Sequence, residues 1–115
     1  MKIKLIPTLL LAATLLTGCG DGHQAKSVIN DFIDANLPGE RKQVVFLRLD
    51  STRFVKADDV AAMRKNKPGA PYSNVKMPGK LLFMTTRFTD ENGNARQQTF
   101  YLDENITGIV CFKEN

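Results

Sequence analysis

The sequence predicts an α+β domain: an N-terminal helix packed on a four-stranded antiparallel sheet, with a short second helix on the way. Two observations carry this. Ala25, Val28, Ile29, Phe32 and Ile33 fall at the i, i+3, i+4, i+7, i+8 positions of one helical face. Three β-type runs, Lys80 to Thr89, Ala95 to Leu102 and Ile106 to Lys113, are separated by the turn signals Asn92-Gly93 and Asp103-Glu104-Asn105.

The first helix is expected from Gln24, with Asp21 or Gly22 at its start. Asn36-Leu37-Pro38-Gly39 ends it, because Pro38 disfavours helical geometry at Leu37. Gln43 to Leu49 alternates large and β-branched residues and reads as one strand. Lys56 to Lys65 places Asp58 and Asp59 in a first turn and bases in the last, as the helix dipole favours, which predicts the short second helix. Between Asn66 and Gly79, Pro68, Pro71 and Pro78 exclude helix and strand interiors and leave a long loop. Loops of that length tend to be functional or mobile. The three final runs form an antiparallel meander. Alternation sets Leu81, Phe83 and Thr85 on one face against Leu82, Met84 and Phe88 on the other, with Phe100, Leu102, Ile106, Val110 and Phe112 available to continue a core face.

Ahead of the domain, Lys2 and Lys4 precede an apolar run from Leu5 to Leu16, the layout of a secretory signal peptide. The run is too short to span a bilayer of ~30 Å. Leu16-Thr17-Gly18-Cys19 resembles the lipobox of bacterial lipoproteins. That resemblance implies cleavage before Cys19, lipid on Cys19, and a protein anchored to the cell envelope. Gly20 after the cysteine, instead of an acidic residue, leans towards the outer membrane by resemblance to lipoprotein sorting rules. The expected organisation is a signal peptide over 1–18, a lipidated, flexible, Gly-rich tether over 19–23, and one α+β domain over 24–115.

By order of elements, the mature chain resembles the cystatin-like and NTF2-like families, in which a curved sheet wraps a long N-terminal helix. It also resembles the short envelope lipoproteins of gut-dwelling bacteria, which implies a fold and a compartment but no activity. Cystatins inhibit proteases through a Gln-x-Val-x-Gly hairpin and a Pro-Trp loop. Gln43-Val44-Val45 matches the start of that hairpin, but Leu47 replaces its glycine and the chain has no tryptophan. Protease inhibition is therefore not expected.

Composition narrows function mainly by exclusion. The net charge of +4 includes Lys2 and Lys4, so the mature chain carries fourteen basic and twelve acidic residues, or +2. With no Arg-rich arm, nucleic acid is not an expected partner. A hydrolytic triad or a metal site needs a histidine or several clustered ligands, and His23, the only histidine, lies in the tether, so neither is expected. Cys111, the one thiol left after lipidation, sits in the apolar run Ile109-Val110-Cys111-Phe112 and reads as a buried small hydrophobe. Asp58-Asp59 and Asp103-Glu104 are explained by capping and turn solvation. No enzyme activity, cofactor or metal is expected.

A charge asymmetry remains. From Arg53 to Lys80 seven bases face only Asp58 and Asp59, a local +5, and the rest of the mature chain is −3. Arg64, Lys65 and Lys67, with Tyr72 as an aromatic anchor in the following loop, form the expected partner-binding surface. Its partner would be an acidic glycan, a phospholipid headgroup or an envelope protein, and the bilayer is engaged through Cys19. The leading reading is a membrane-tethered, non-catalytic binding or assembly module. The alternative is a small-ligand pocket between the first helix and the sheet, as the NTF2-like resemblance implies.

Overall fold

The computed structural model describes residues 20–115; Cys19 and the signal peptide lie outside them. The chain runs through a helix over residues 20–36 (α1), β1 (Lys42–Phe46), β2 (Asp50–Thr52), α2 (Ala57–Met63), a 3₁₀ turn (Arg64–Asn66), β3 (Leu81–Thr89), β4 (Ala95–Leu102) and β5 (Ile109–Glu114). All strand pairings are antiparallel, so the fold is α+β. The central strand β3 carries β4 and then β5 on one side.

The sheet has five strands, not four. β3 is nine residues long, more than one short partner can cover. β1 pairs with its far end, Lys42 opposite Thr89 and Phe46 opposite Thr86. β2 pairs with its near end, Asp50 opposite Phe83 and Thr52 opposite Leu81. The run expected as one strand breaks between them, and β1 itself shifts register between Lys42 and Val45. Gln43 absorbs the shift in a left-handed conformation with φ 53°, sparsely populated for a residue with a Cβ.

α1 already includes residues 20–23, so these are helical and not the flexible tether that their composition suggests. Gln24 anchors this first part by donating its side-chain amide to the Ile106 carbonyl at 3.1 Å. One face of the sheet packs under α1: Ile29, Phe32 and Ile33 bury against Met84, Phe100, Leu102 and Phe112. The other face has a second core. There Val60 of α2 meets Leu81, Tyr101, Val110 and Cys111, with Val75 and Met77 of the long loop packed alongside. Val110 thus joins the second core and not the α1 core of Phe100, Leu102, Ile106 and Phe112, because the register shifts between the Tyr101–Cys111 and Leu102–Ile109 pairs and leaves Val110 as the extra residue beside Cys111.

The long loop is pinned. Tyr72 is half-buried, its ring 5.7 Å from that of Phe32. The backbone N–H of Ser73 donates to the Ile109 carbonyl at 2.7 Å. Arg64 Nε donates to the Val110 carbonyl at 2.8 Å and Asn66 Nδ2 to the Phe112 carbonyl at 2.8 Å. These bonds occupy carbonyls along β5, the edge strand, and so remove a template for pairing with another chain.

β5 begins at Ile109 and not at Ile106, because residues 103–108 form a turn around the buried Asp103 carboxylate. Asp103 accepts from the Thr107 N–H at 3.0 Å, the Thr107 hydroxyl at 2.7 Å and the Ser73 hydroxyl at 2.9 Å. Ile106 takes φ 55° in this turn and buries its side chain under α1. Burial alone would raise the pKa of Asp103; the bonds from Thr107 and Ser73 outweigh it and hold the group below its usual 3.8. A carboxyl with a lowered folded pKa contributes stability that is full above the unfolded pKa and is lost as pH falls through the folded one. Urea denaturation at pH 6 and pH 3 should therefore show wild type losing more stability in acid than Asp103→Ala. At pH 6 the variant should itself be about 1–3 kcal/mol less stable. Parallel losses in acid would remove Asp103 from the account.

Candidate functional site

Cys111 is fully buried in the second core, where burial pushes its thiol up to about 12 against the opposing charge of Arg64. At neutral pH it is a thiol, a poor nucleophile. His23 is exposed on α1, across the sheet from Cys111, so the two form no acid–base pair. Among the described residues, no group of three His, Cys, Asp or Glu is placed to hold a metal ion.

The four residues expected at a partner surface divide into two pairs. Arg64 spends its guanidinium on the fold: besides Val110, its Nη2 donates to the Ser73 carbonyl at 2.9 Å and its Nη1 to the Asn74 side chain at 3.4 Å. The same group lies 5.1 Å from the Tyr72 ring centre. Tyr72 is not the exposed anchor its loop suggests. Its hydroxyl donates to the Lys67 carbonyl at 2.8 Å, and burial raises its pKa with Arg64 opposing. Lys65 is exposed and Lys67 half-buried, and neither forms an ion pair among the described residues.

Lys67 opens onto a feature that the sequence reading missed. A polar cleft of about 180 Å³ lies beside the C-terminal end of α1, lined by Asn36, Arg41, Lys67, Arg96, Gln98 and Glu114 among others. Arg41 and Arg96 stack on Phe88, at 4.0 and 5.6 Å from its ring centre. Burial, and then the like charge of Arg96, lower the pKa of Arg41. Arg96 pairs with Glu114 at 2.7 Å and more loosely with Asp90 at 3.9 Å. The Gln98 amide also donates to Glu114, while Gln98 Oε1 and Arg41 Nη1 are buried without a hydrogen-bond partner among the described residues. The cleft therefore gathers three bases about one carboxylate, an electrostatic setting that favours an added acidic group. No local motif announces it. Arg41 and Arg96 are far apart in sequence, and antiparallel packing alone puts them over one ring.

The space between α1 and the sheet is otherwise filled by side chains. Phe100 and Phe112 stack with ring centres 5.3 Å apart, and Phe32 meets them edge-on at 6.2 and 5.8 Å. The remaining large groove is open, between residues 21–26 of α1 and residues 46–49, with Met84 at its floor.

Comparison with protein-family models, with curated proteins and with solved structures returns no match. No helix among the described residues is long and apolar enough to cross a membrane.

The division among the four residues can be measured. In urea denaturation Arg64→Ala should cost about 1.5–3 kcal/mol, the range for hydrogen bonds to a charged group. Lys65→Ala, on the exposed side of the same turn, should stay within about 0.5 kcal/mol of wild type. Equal effects would mean that Arg64 does not clamp the edge of β5.

Proposed function

We propose that the protein is a lipid-anchored, non-catalytic binding module of the bacterial cell envelope, held at the outer membrane through Cys19. In this reading it docks an acidic group of an envelope partner, a glycan or a protein, at the cleft between the end of α1 and the sheet. The domain is read as cystatin-like in its helix-on-sheet order, without the inhibitory hairpin. The observation that carries the proposal is the combination of a filled core with a basic cleft at its end. Ile29, Phe32, Phe100 and Phe112 occupy the volume in which an NTF2-like ligand would sit, which favours the module over the deep pocket.

The binding surface accordingly shifts from Arg64 and Tyr72, which serve the fold, to Lys65 and Lys67 together with Arg41 and Arg96. Lys65 and Lys67 stand at the rim, where charge chiefly steers encounter. Arg41 and Arg96, held on Phe88, offer less adjustable contacts.

Two measurements test the parts separately. Metabolic labelling with a clickable palmitate should mark wild type and lose the signal in Cys19→Ala; label retained in that variant would remove the tether. Cross-linking in cells followed by pull-down should recover a partner with wild type. With Lys65→Glu and Lys67→Glu combined, capture should fall several-fold and lose much of its salt sensitivity. Unchanged partners, yield and salt response would place docking elsewhere.

A further inference from the structure

A second surface lies at the end of the sheet opposite the cleft, on the face that α2 covers. Phe54, in the connection from β2 to α2, is 90 % exposed, more than any other large apolar side chain among the described residues. Its backbone N–H donates to the Thr52 hydroxyl at 3.2 Å, so the turn is held while the ring stands in water. Exposed bases flank it at Arg53 and Lys56. Lys80 adjoins them, because it directly precedes Leu81, the partner of Thr52 across the sheet. Acids stand among these bases: Asp50 faces Arg48 at 3.5 Å, Asp59 accepts from the Lys56 N–H at 2.9 Å and lines one groove with Phe54, Asp58 lies on the first turn of α2, and Asp21 and Glu104 are exposed at the start of α1 and in the Asp103 turn.

The location of this turn gives it meaning. The start of α1 is fixed to the Asp103 turn through Gln24 and Ile106, and residues 21–26 face residues 46–49 across the open groove. Leu82 opposite Leu102, and Thr52 opposite Leu81, bring the Asp103 turn and the Arg53–Lys56 turn to the same end of the sheet. Gly20, where the described chain starts, immediately follows Cys19. An aromatic ring flanked by bases therefore stands at the end of the domain where the described chain begins.

We infer that the Arg53–Lys56 turn is a second membrane contact, in which Phe54 enters the interfacial layer of an anionic bilayer while Arg53, Lys56 and Lys80 meet its phosphate headgroups. The inference rests on the reading of Cys19 as the lipid anchor. An amphipathic surface with apolar and basic side chains binds the interface by burying the one and pairing the other. Each base near an anionic surface strengthens attachment about fivefold. The contact would fix which way the domain faces, with the α1 C-terminal cleft pointing away from the membrane.

Because the chain contains no tryptophan, Phe54→Trp supplies a single fluorescent reporter at a position whose side chain supports neither core. Full-length lipidated protein carrying it is reconstituted in vesicles of phosphatidylethanolamine with phosphatidylglycerol, or of phosphatidylcholine alone. The comparison reporter is Asn92→Trp, in the exposed turn between β3 and β4 at the far end. In the anionic vesicles Phe54→Trp should shift to the blue and be quenched by brominated lipid, while Asn92→Trp stays in water. Adding Arg53→Gln and Lys56→Gln should lower the ratio of inserted to free turn about fivefold for each base removed. If the protein carries palmitate on Cys19 but Phe54→Trp keeps its aqueous emission, or both reporters are quenched alike, this inference is overturned and the anchor reading stands. Absence of palmitate on Cys19 overturns the anchor reading and this inference with it.

Discussion

Phe32 is the contact on which the rest of the arrangement depends. Its ring touches three separate parts of the chain: Phe100 on β4, Phe112 on β5, and Tyr72 in the loop after α2. Each aromatic pair adds about 0.5–1.5 kcal/mol beyond the burial of apolar area. More important is what the pairs connect. The contact with Tyr72 carries the position of α1 through the sheet edge to the loop, since the Tyr72 hydroxyl holds the Lys67 carbonyl and the neighbouring Arg64 and Ser73 hold β5. A loop of proline and glycine composition thereby becomes part of the scaffold.

A helix held along its length also keeps the two ends of the domain apart. The 17 described residues of α1 extend over roughly 25 Å at 1.5 Å per residue. One end carries the residue that follows Cys19 and the exposed Phe54 turn; the other carries Arg41, Lys67 and Arg96. In the tethered arrangement proposed above, the distal surface would be the one free to meet a partner. Between the ends, Cys111 is a buried packing residue.

Much of this was legible from local pattern. Ala25, Ile29, Phe32 and Ile33 are all buried as their helical spacing requires, and the two turns of the meander fall where Asn92-Gly93 and Asp103 place them. The misses share a physical origin in long-range geometry. Nothing local at Gln43 to Leu49 tells that β3 is long enough to need two partners. The second core escaped notice because β3 and β4 alternate between two apolar faces, and alternation alone does not say that the second is covered. Arg64 looked available for a partner because its acceptors are backbone carbonyls, one of them 46 residues away, which leave no mark in composition. Tyr72 looked exposed for the same reason: its burial comes from Phe32, on another element.

Equilibrium urea denaturation of Phe32→Ala, followed at once by far-ultraviolet circular dichroism and tyrosine fluorescence, addresses the central role of this ring most directly. Phe32 is 6 % exposed, so the substitution should remove about 3–5 kcal/mol. The two probes should still report one coincident transition, because helix, sheet and loop share the ring's contacts. A loss near zero, or tyrosine fluorescence changing apart from the helical signal, would contradict the account: α1, the sheet and the Tyr72 loop would then not depend on one another through Phe32.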